Sequence, residues 1–116
     1  MIKLSRDACL AAMASGEFGA EVTAAAASVA VVLTQSWCSQ WRWMKGYLEK
    51  MPSRADLAIF WVEYDNEDFF EPFMAFKEDR FDNREVPYVR YYRNGKLSKE
   101  SNFTDQRGFL RLAGVE

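Results

Sequence analysis

This 116-residue chain has two cysteines, Cys9 and Cys38, and only Cys38 stands where a thiol is made reactive. It follows Val29–Gln35, a run of aliphatic and β-branched residues that reads as a buried strand. After it comes Trp41-Arg42-Trp43-Met44, where helical spacing begins. Cys38 thus falls at the handover from strand to helix. Backbone N–H groups at a helix start favour negative charge, and a thiol held there has its thiolate favoured. Cys9 lies among alanines and a leucine and reads as a small buried hydrophobe rather than a redox partner. Histidine is absent, which excludes Ser-His-Asp and Cys-His catalysis and every histidine-ligated metal. Two cysteines are also too few for a four-thiolate zinc site. No cofactor and no metal is expected.

The length suits one compact domain spanning residues 1–116, and half of the residues are apolar. A formal charge of −2 provides no basic field, which argues against a nucleic-acid partner held by phosphate neutralisation. Two distant cysteines do not form the disulfide framework of a secreted miniprotein. Residues 1–13 make a poor signal peptide, and the apolar window Ala24–Leu33 is too short to span a bilayer. A soluble, cytoplasmic protein with reduced thiols and no membrane partner is expected.

The elements that must position Cys38 follow from periodicity. Ser5–Ala14 predicts a short helix ending before Ser15-Gly16, and Glu17–Ala27 a second helical piece supported by the alanine run. Val29–Gln35 and Leu57–Val62 are buried strands. Between them Trp37–Met51 predicts a helix with Trp41, Met44, Tyr47 and Leu48 inward, closed by Pro52. Strand, helix and strand in this order imply a parallel βαβ unit with a right-handed crossover. Glu67–Phe81 carries a stripe of phenylalanines read as core, and Pro72 must kink or open that helix. Asp79–Glu85 is a solvated loop. Val86–Arg93 is a strand opened by Pro87; Asn94-Gly95 turns it into Lys96–Ser101. Thr104 is placed as the cap of a last helix, Asp105–Ala113.

With that order in place, the chain resembles the thioredoxin family. Trp37-Cys38-Ser39-Gln40-Trp41 is similar to the family's Trp-Cys-x-x-Cys motif, and Val86-Pro87 to its cis-proline loop. Arg93-Asn94-Gly95-Lys96 is similar to its hairpin turn, and Asp65 after the Leu57–Val62 strand has a counterpart. The resemblance runs from about Phe18 to the C-terminus. It implies an α/β fold, a thioredoxin-like three-layer α/β/α sandwich with a mixed central sheet. It also implies catalysis by Cys38 and substrate binding by Trp37, Ser39, Gln40, Trp41, Val86 and Pro87, with a cis Val86–Pro87 bond. The departures are equally specific. Trp41 stands in place of the second cysteine, Val32 in place of the family's buried acid, and Trp61 in place of its lysine; the glycine of the last strand has no evident match.

Dithiol exchange needs an attacking thiolate and then a second thiol that releases the mixed disulfide. Cys38 alone attacks but does not resolve. Trp37, Trp41 and Trp43 are expected around it, forming either a peptide-binding face or a cover over the thiol. Two main functions fit. One is monothiol redox or mixed-disulfide chemistry in thiol homeostasis, on a protein or low-molecular-weight thiol or disulfide. The other is a redox-inactive thioredoxin-fold module that binds a protein partner. A metal or cluster shared between subunits through Cys38 is a third reading. Oligomeric state is not encoded in any of these motifs.

Overall fold

A computed structural model describes residues 1–115. In chain order the elements are β1 (Ile2–Lys3), α1 (Arg6–Ser15), α2 (Ala20–Thr23), β2 (Ser28–Thr34), α3 (Ser39–Lys50), β3 (Leu57–Glu63), a single 3₁₀ turn (Tyr64–Asn66), α4 (Phe70–Arg80), β4 (Tyr88–Arg93), β5 (Lys96–Ser101) and α5 (Gln106–Ala113). The sheet is mixed, in the order β1-β3-β2-β4-β5. β2 pairs with β3 in parallel, Ser28 opposite Leu57 and Thr34 opposite Glu63. Its other edge pairs antiparallel with β4. The two apolar runs are therefore adjacent, parallel and central, and the hairpin lies beside them. β1, too short for any periodicity to register, adds a parallel edge to β3.

β2 has every residue buried, as expected of a central strand covered on both faces. Its alternation divides the core in two. Val29, Val31 and Leu33 face one way, with Cys9, Val22, Phe69, Phe73 and Tyr88 from the surrounding elements. Ala30 and Val32 face the other, with Cys38, Trp41, Met44, Leu48 and Phe109. Helices α1, α2 and α4 thus cover one face of the sheet, and α3 and α5 the other. This is an α/β/α sandwich.

Four local expectations differ from the structure. The second helix is a single turn, because Ala27 gives its carbonyl to Asn94 N–H at 3.0 Å and the next residue already begins β2. Tertiary pairing overrides alanine propensity there. Helix α4 starts at Phe70 rather than Glu67, which leaves Pro72 in its first turn, where no intrahelical N–H is lost. The cap of α5 is Asp105, whose carboxylate accepts from Gly108 N–H at 2.8 Å, not Thr104. The loop at residues 79–85 is not wholly solvated either. Phe81 is buried at its start, and the Asn83 backbone carbonyl accepts from Lys77.

On the α1/α4 face two cations lie inside the fold. The Arg90 guanidinium stacks over Phe81 at 3.7 Å and pairs with Glu17, while the Tyr88 and Tyr92 hydroxyls each accept from it at 2.8 Å. Arginine stays charged under all accessible conditions, and this cluster supplies its partners while tying the α1–α2 loop to β4. Lys77 is fully buried and far less provided for. Its Nζ donates to Asn83 O at 2.8 Å, and the Tyr88 ring lies 5.7 Å away. Burial pulls its pKa from 10.5 down to about 8. Between those values the unfolded chain holds a proton that the folded chain does not. Stability therefore rises with pH through that window and stays at its lower level below it, a change of about 1–3 kcal/mol. Urea unfolding at about pH 7 and about pH 9.5 should reveal this gain in the native chain and its loss in Lys77→Met. An equal slope in both proteins would show that Lys77 is not the group responsible.

Candidate functional site

The C-terminal end of β2 delivers Gln35-Ser36-Trp37-Cys38, and side chains from the turn after β3 hold that loop in place. Asp65, in the 3₁₀ turn, accepts from Ser36 twice: from its backbone N–H at 2.8 Å and its hydroxyl at 2.5 Å. The Tyr64 hydroxyl accepts from Gln35 Nε2 at 3.2 Å. Cys38 is the N-cap of α3, with its backbone extended and its carbonyl accepting from Arg42 N–H at 3.1 Å. Its side chain makes no cap hydrogen bond. Sγ points instead to the β4 side, where it donates to the Val86 carbonyl at 3.5 Å.

Val86 belongs to the loop that opens β4, and the Val86–Pro87 peptide bond is cis. That loop is pinned from behind. Asn102 Nδ2 donates to Pro87 O at 3.0 Å, and the side-chain amides of Asn83 and Asn102 bond each other at 3.2 Å. Neither asparagine stands out in the sequence, where isolated amides far apart carry no signal. Their role is visible only once the 79–85 loop and the end of β5 meet.

The predicted site residues separate in space. Trp37 is exposed, 62% of its surface open, with its indole N–H donating to Gln35 Oε1 at 2.6 Å. Ser39 and Gln40 are exposed on the first turn of α3. Val86 and Pro87 stand across from Cys38. Trp41 does not join this surface: it is completely buried in the α3/α5 core. Trp43 is exposed, but it packs against Tyr47 at 5.6 Å and Phe103 at 5.5 Å, toward the β5–α5 connection. The expected aromatic wall of three indoles around the thiol is thus reduced to Trp37. Helical geometry is the reason, since residues two apart on a helix point in different directions.

The group under Trp41 has no counterpart in the sequence reading. The indole N–H donates to Glu63 Oε2 at 2.8 Å, and Lys45 Nζ lies 3.6 Å from the same oxygen. Lys45 also sits over the Trp61 ring at 5.0 Å. Val32 and Trp61 are register partners on β2 and β3, and Thr34 and Glu63 are partners two residues further along. An acid from β3 and a lysine from α3 are therefore present on this face, the acid two residues nearer the strand end than Trp61. The signal that could have found Glu63 is a lone acid ending an apolar strand. The Thr34 hydroxyl is buried without a hydrogen-bond partner.

Cys9 is wholly buried in the other half-core, with the sheet between it and Cys38. Burial pushes its thiol up to about 12. It is neither near Cys38 nor ionised at neutral pH. Among the described residues no group of acids and cysteines is arranged to hold a metal ion. None of the described helices is long and apolar enough to cross a membrane.

No family model and no curated protein sequence matches the chain. Solved structures do. The short form of thioredoxin f from spinach chloroplast is similar with a TM-score of 0.69 and 16% identity, over 98% of this chain and 90% of that one. Oxidised thioredoxin O1 from Arabidopsis thaliana gives 0.64 and 16%, over 96% and 92%. A mutant thioredoxin from Halobacterium salinarum gives 0.62 and 17%, over 80% and 77%. At these identities the likeness speaks for the backbone and not for the chemistry. The sheet order, the cysteine at the start of α3 and these neighbours together give the chain a thioredoxin-like fold.

Proposed function

We propose that this protein performs monothiol disulfide chemistry with Cys38 as its nucleophile, on a protein or low-molecular-weight disulfide. One observation carries the reading. Cys38 is held at a helix start against the carbonyl of the proline loop, and the described residues place no second thiol on its side of the sheet. In the first step the Cys38 thiolate attacks one sulfur of the substrate disulfide. A new S–S bond forms to Cys38, and the other substrate sulfur leaves as a thiolate that takes a proton. In the second step an external low-molecular-weight thiol attacks the substrate sulfur of the mixed disulfide, which gives a new disulfide and restores the Cys38 thiolate. The backbone at Val86 and the exposed Trp37, Ser39 and Gln40 are the groups assigned to orient the substrate, in the manner of an extended peptide laid along a strand end.

The second reading is a redox-inactive binding module, and the burial of Cys38, 5% exposed, favours it. The two part on reactivity. With iodoacetamide under native conditions, peptide mapping should find Cys38 labelled and Cys9 untouched until the chain is unfolded. With oxidised glutathione the native chain should form one mixed disulfide, absent in Cys38→Ser. A Cys38 that resists both reagents as completely as Cys9 would overturn the monothiol reading in favour of the module.

Turnover follows from Trp41. Without a neighbouring thiol each mixed disulfide waits for an outside one, so insulin reduction driven by a dithiol should barely exceed the uncatalysed rate. Trp41→Cys should raise that rate at least tenfold while losing a buried indole, a loss of about 3–5 kcal/mol in stability. Thermal unfolding of the variant checks the second figure. Rapid insulin reduction by the unmodified chain would contradict the single-thiol scheme.

A further inference from the structure

Of the fifteen lysine and arginine side chains, six form ion pairs among the described residues. Lys3 meets Glu67, Arg6 meets Asp68, Arg54 meets Asp56 and Arg84 meets Glu78, all within 3.1 Å. The cleft between the β4–β5 hairpin and the end of α5 is different. It has a volume of about 290 Å³ and is lined by Arg93, Lys99 and Arg111 with no carboxylate among its described lining residues. Ser98 adds a hydroxyl, and Tyr91 and Leu112 an apolar floor. Lys99 and Arg111 make no ion pair among the described residues, in a chain whose formal charge is −2. All three cations are solvent-exposed, so their mutual repulsion is weakened by solvent, and an anion shared between them would relieve what remains.

Arg93 is the fixed member. Its Nη1 donates to Ser28 Oγ at 2.7 Å and to Gly114 O at 3.2 Å, so the guanidinium is held from one side by β2 and by the C-cap of α5. Nε and Nη2 make no hydrogen bond among the described residues. A planar fork held in this way suits two oxygens of one tetrahedral anion. Lys99 stands opposite Tyr91 in the β4–β5 register, on the face that α5 covers. Arg111 comes from the last turn of α5. A lysine on the edge strand β5 also guards it against pairing with another chain. That role gives no account of Arg111, which comes from a different element and lines the same cleft.

We propose that this cleft binds the phosphoryl group of a small phosphorylated molecule, with Arg93 as the fork and Lys99 and Arg111 as the closing cations. At about 290 Å³ the cleft is just below the usual range of small-molecule sites and suits a phosphate ester of about nucleotide size. The site is independent of Cys38 and of the function proposed for it.

The test is an NMR titration of the native chain with inorganic phosphate and, separately, with adenosine 5′-monophosphate, at constant chloride and ionic strength. The expected result is saturable shifts confined to amides around Arg93, Lys99, Arg111 and Gly114, with half-saturation at about 1 mM or below. The double variant Lys99→Gln/Arg111→Gln should weaken binding at least tenfold, while Arg107→Gln, an exposed α5 arginine outside the cleft, leaves it unchanged. Retained amide dispersion in the double variant shows that it is folded. Phosphate binding with or without the nucleotide supports the proposal and sets the size of the ligand. Absent or non-saturating shifts, or equal weakening by Arg107→Gln and the double variant, would overturn it.

Discussion

The fold depends on the two-residue period of one strand. β2 is paired along both edges and covered on both faces, so each of its side chains is committed to one of two half-cores. A slip of one residue would exchange Val29, Val31 and Leu33 with Ala30 and Val32 and leave neither half-core correctly filled. The half-core under α1 and α4 takes Val29, Val31, Leu33 and most of the phenylalanines, while the other takes Ala30 and Val32 with Trp41 and Met44 of α3. The two thiols, one on α1 and one at the start of α3, lie in different half-cores with the sheet between them, and no side-chain rotation brings them together.

What β2 fixes in register, the loops at its end convert into a site. Asp65 clamps Ser36 from one neighbouring strand, and the proline loop of β4 brings the Val86 carbonyl to Cys38 from the other. The thiol is therefore positioned by three adjacent strand ends at once. A local change at Asn83 or Asn102, which hold the proline loop from behind, acts on Cys38 through this arrangement without touching it.

Much of this was legible in the sequence, and the reasons differ by element. The strands Val29–Gln35 and Leu57–Val62, the Asn94-Gly95 turn and α3 carry strong local signals, because burial on both faces, a positive φ at the turn and helical spacing each restrict residue choice directly. The Glu17–Ala27 stretch misled because alanine records only propensity, and the Ala27 carbonyl was wanted by the turn at Asn94. Thr104 and Asp105 are both competent caps one residue apart, and it is the Asp105 carboxylate that accepts from Gly108 N–H. In the site, Cys38, Trp37 and the proline loop could be read from motifs. The placement of Trp41 could not, since the same indole suits a surface platform or a core. Glu63 showed in the sequence only as a lone acid ending an apolar strand, and its role comes from the N–H it meets.

Trp41 determines what lies beneath the first turn of α3. A second cysteine in its place would be small, and partner to Cys38 one helical turn away. An indole there is far larger, and it fills the space beneath the first turn of α3 while its one polar atom is taken by Glu63. Glu63 is in turn held by Lys45, whose ammonium lies over Trp61. The acid and the lysine on this face are thus engaged in securing a large buried side chain: their charges face each other, and the carboxylate also accepts the indole N–H. Cys38 thus has the indole-filled core on one side and the Val86 carbonyl of the proline loop on the other.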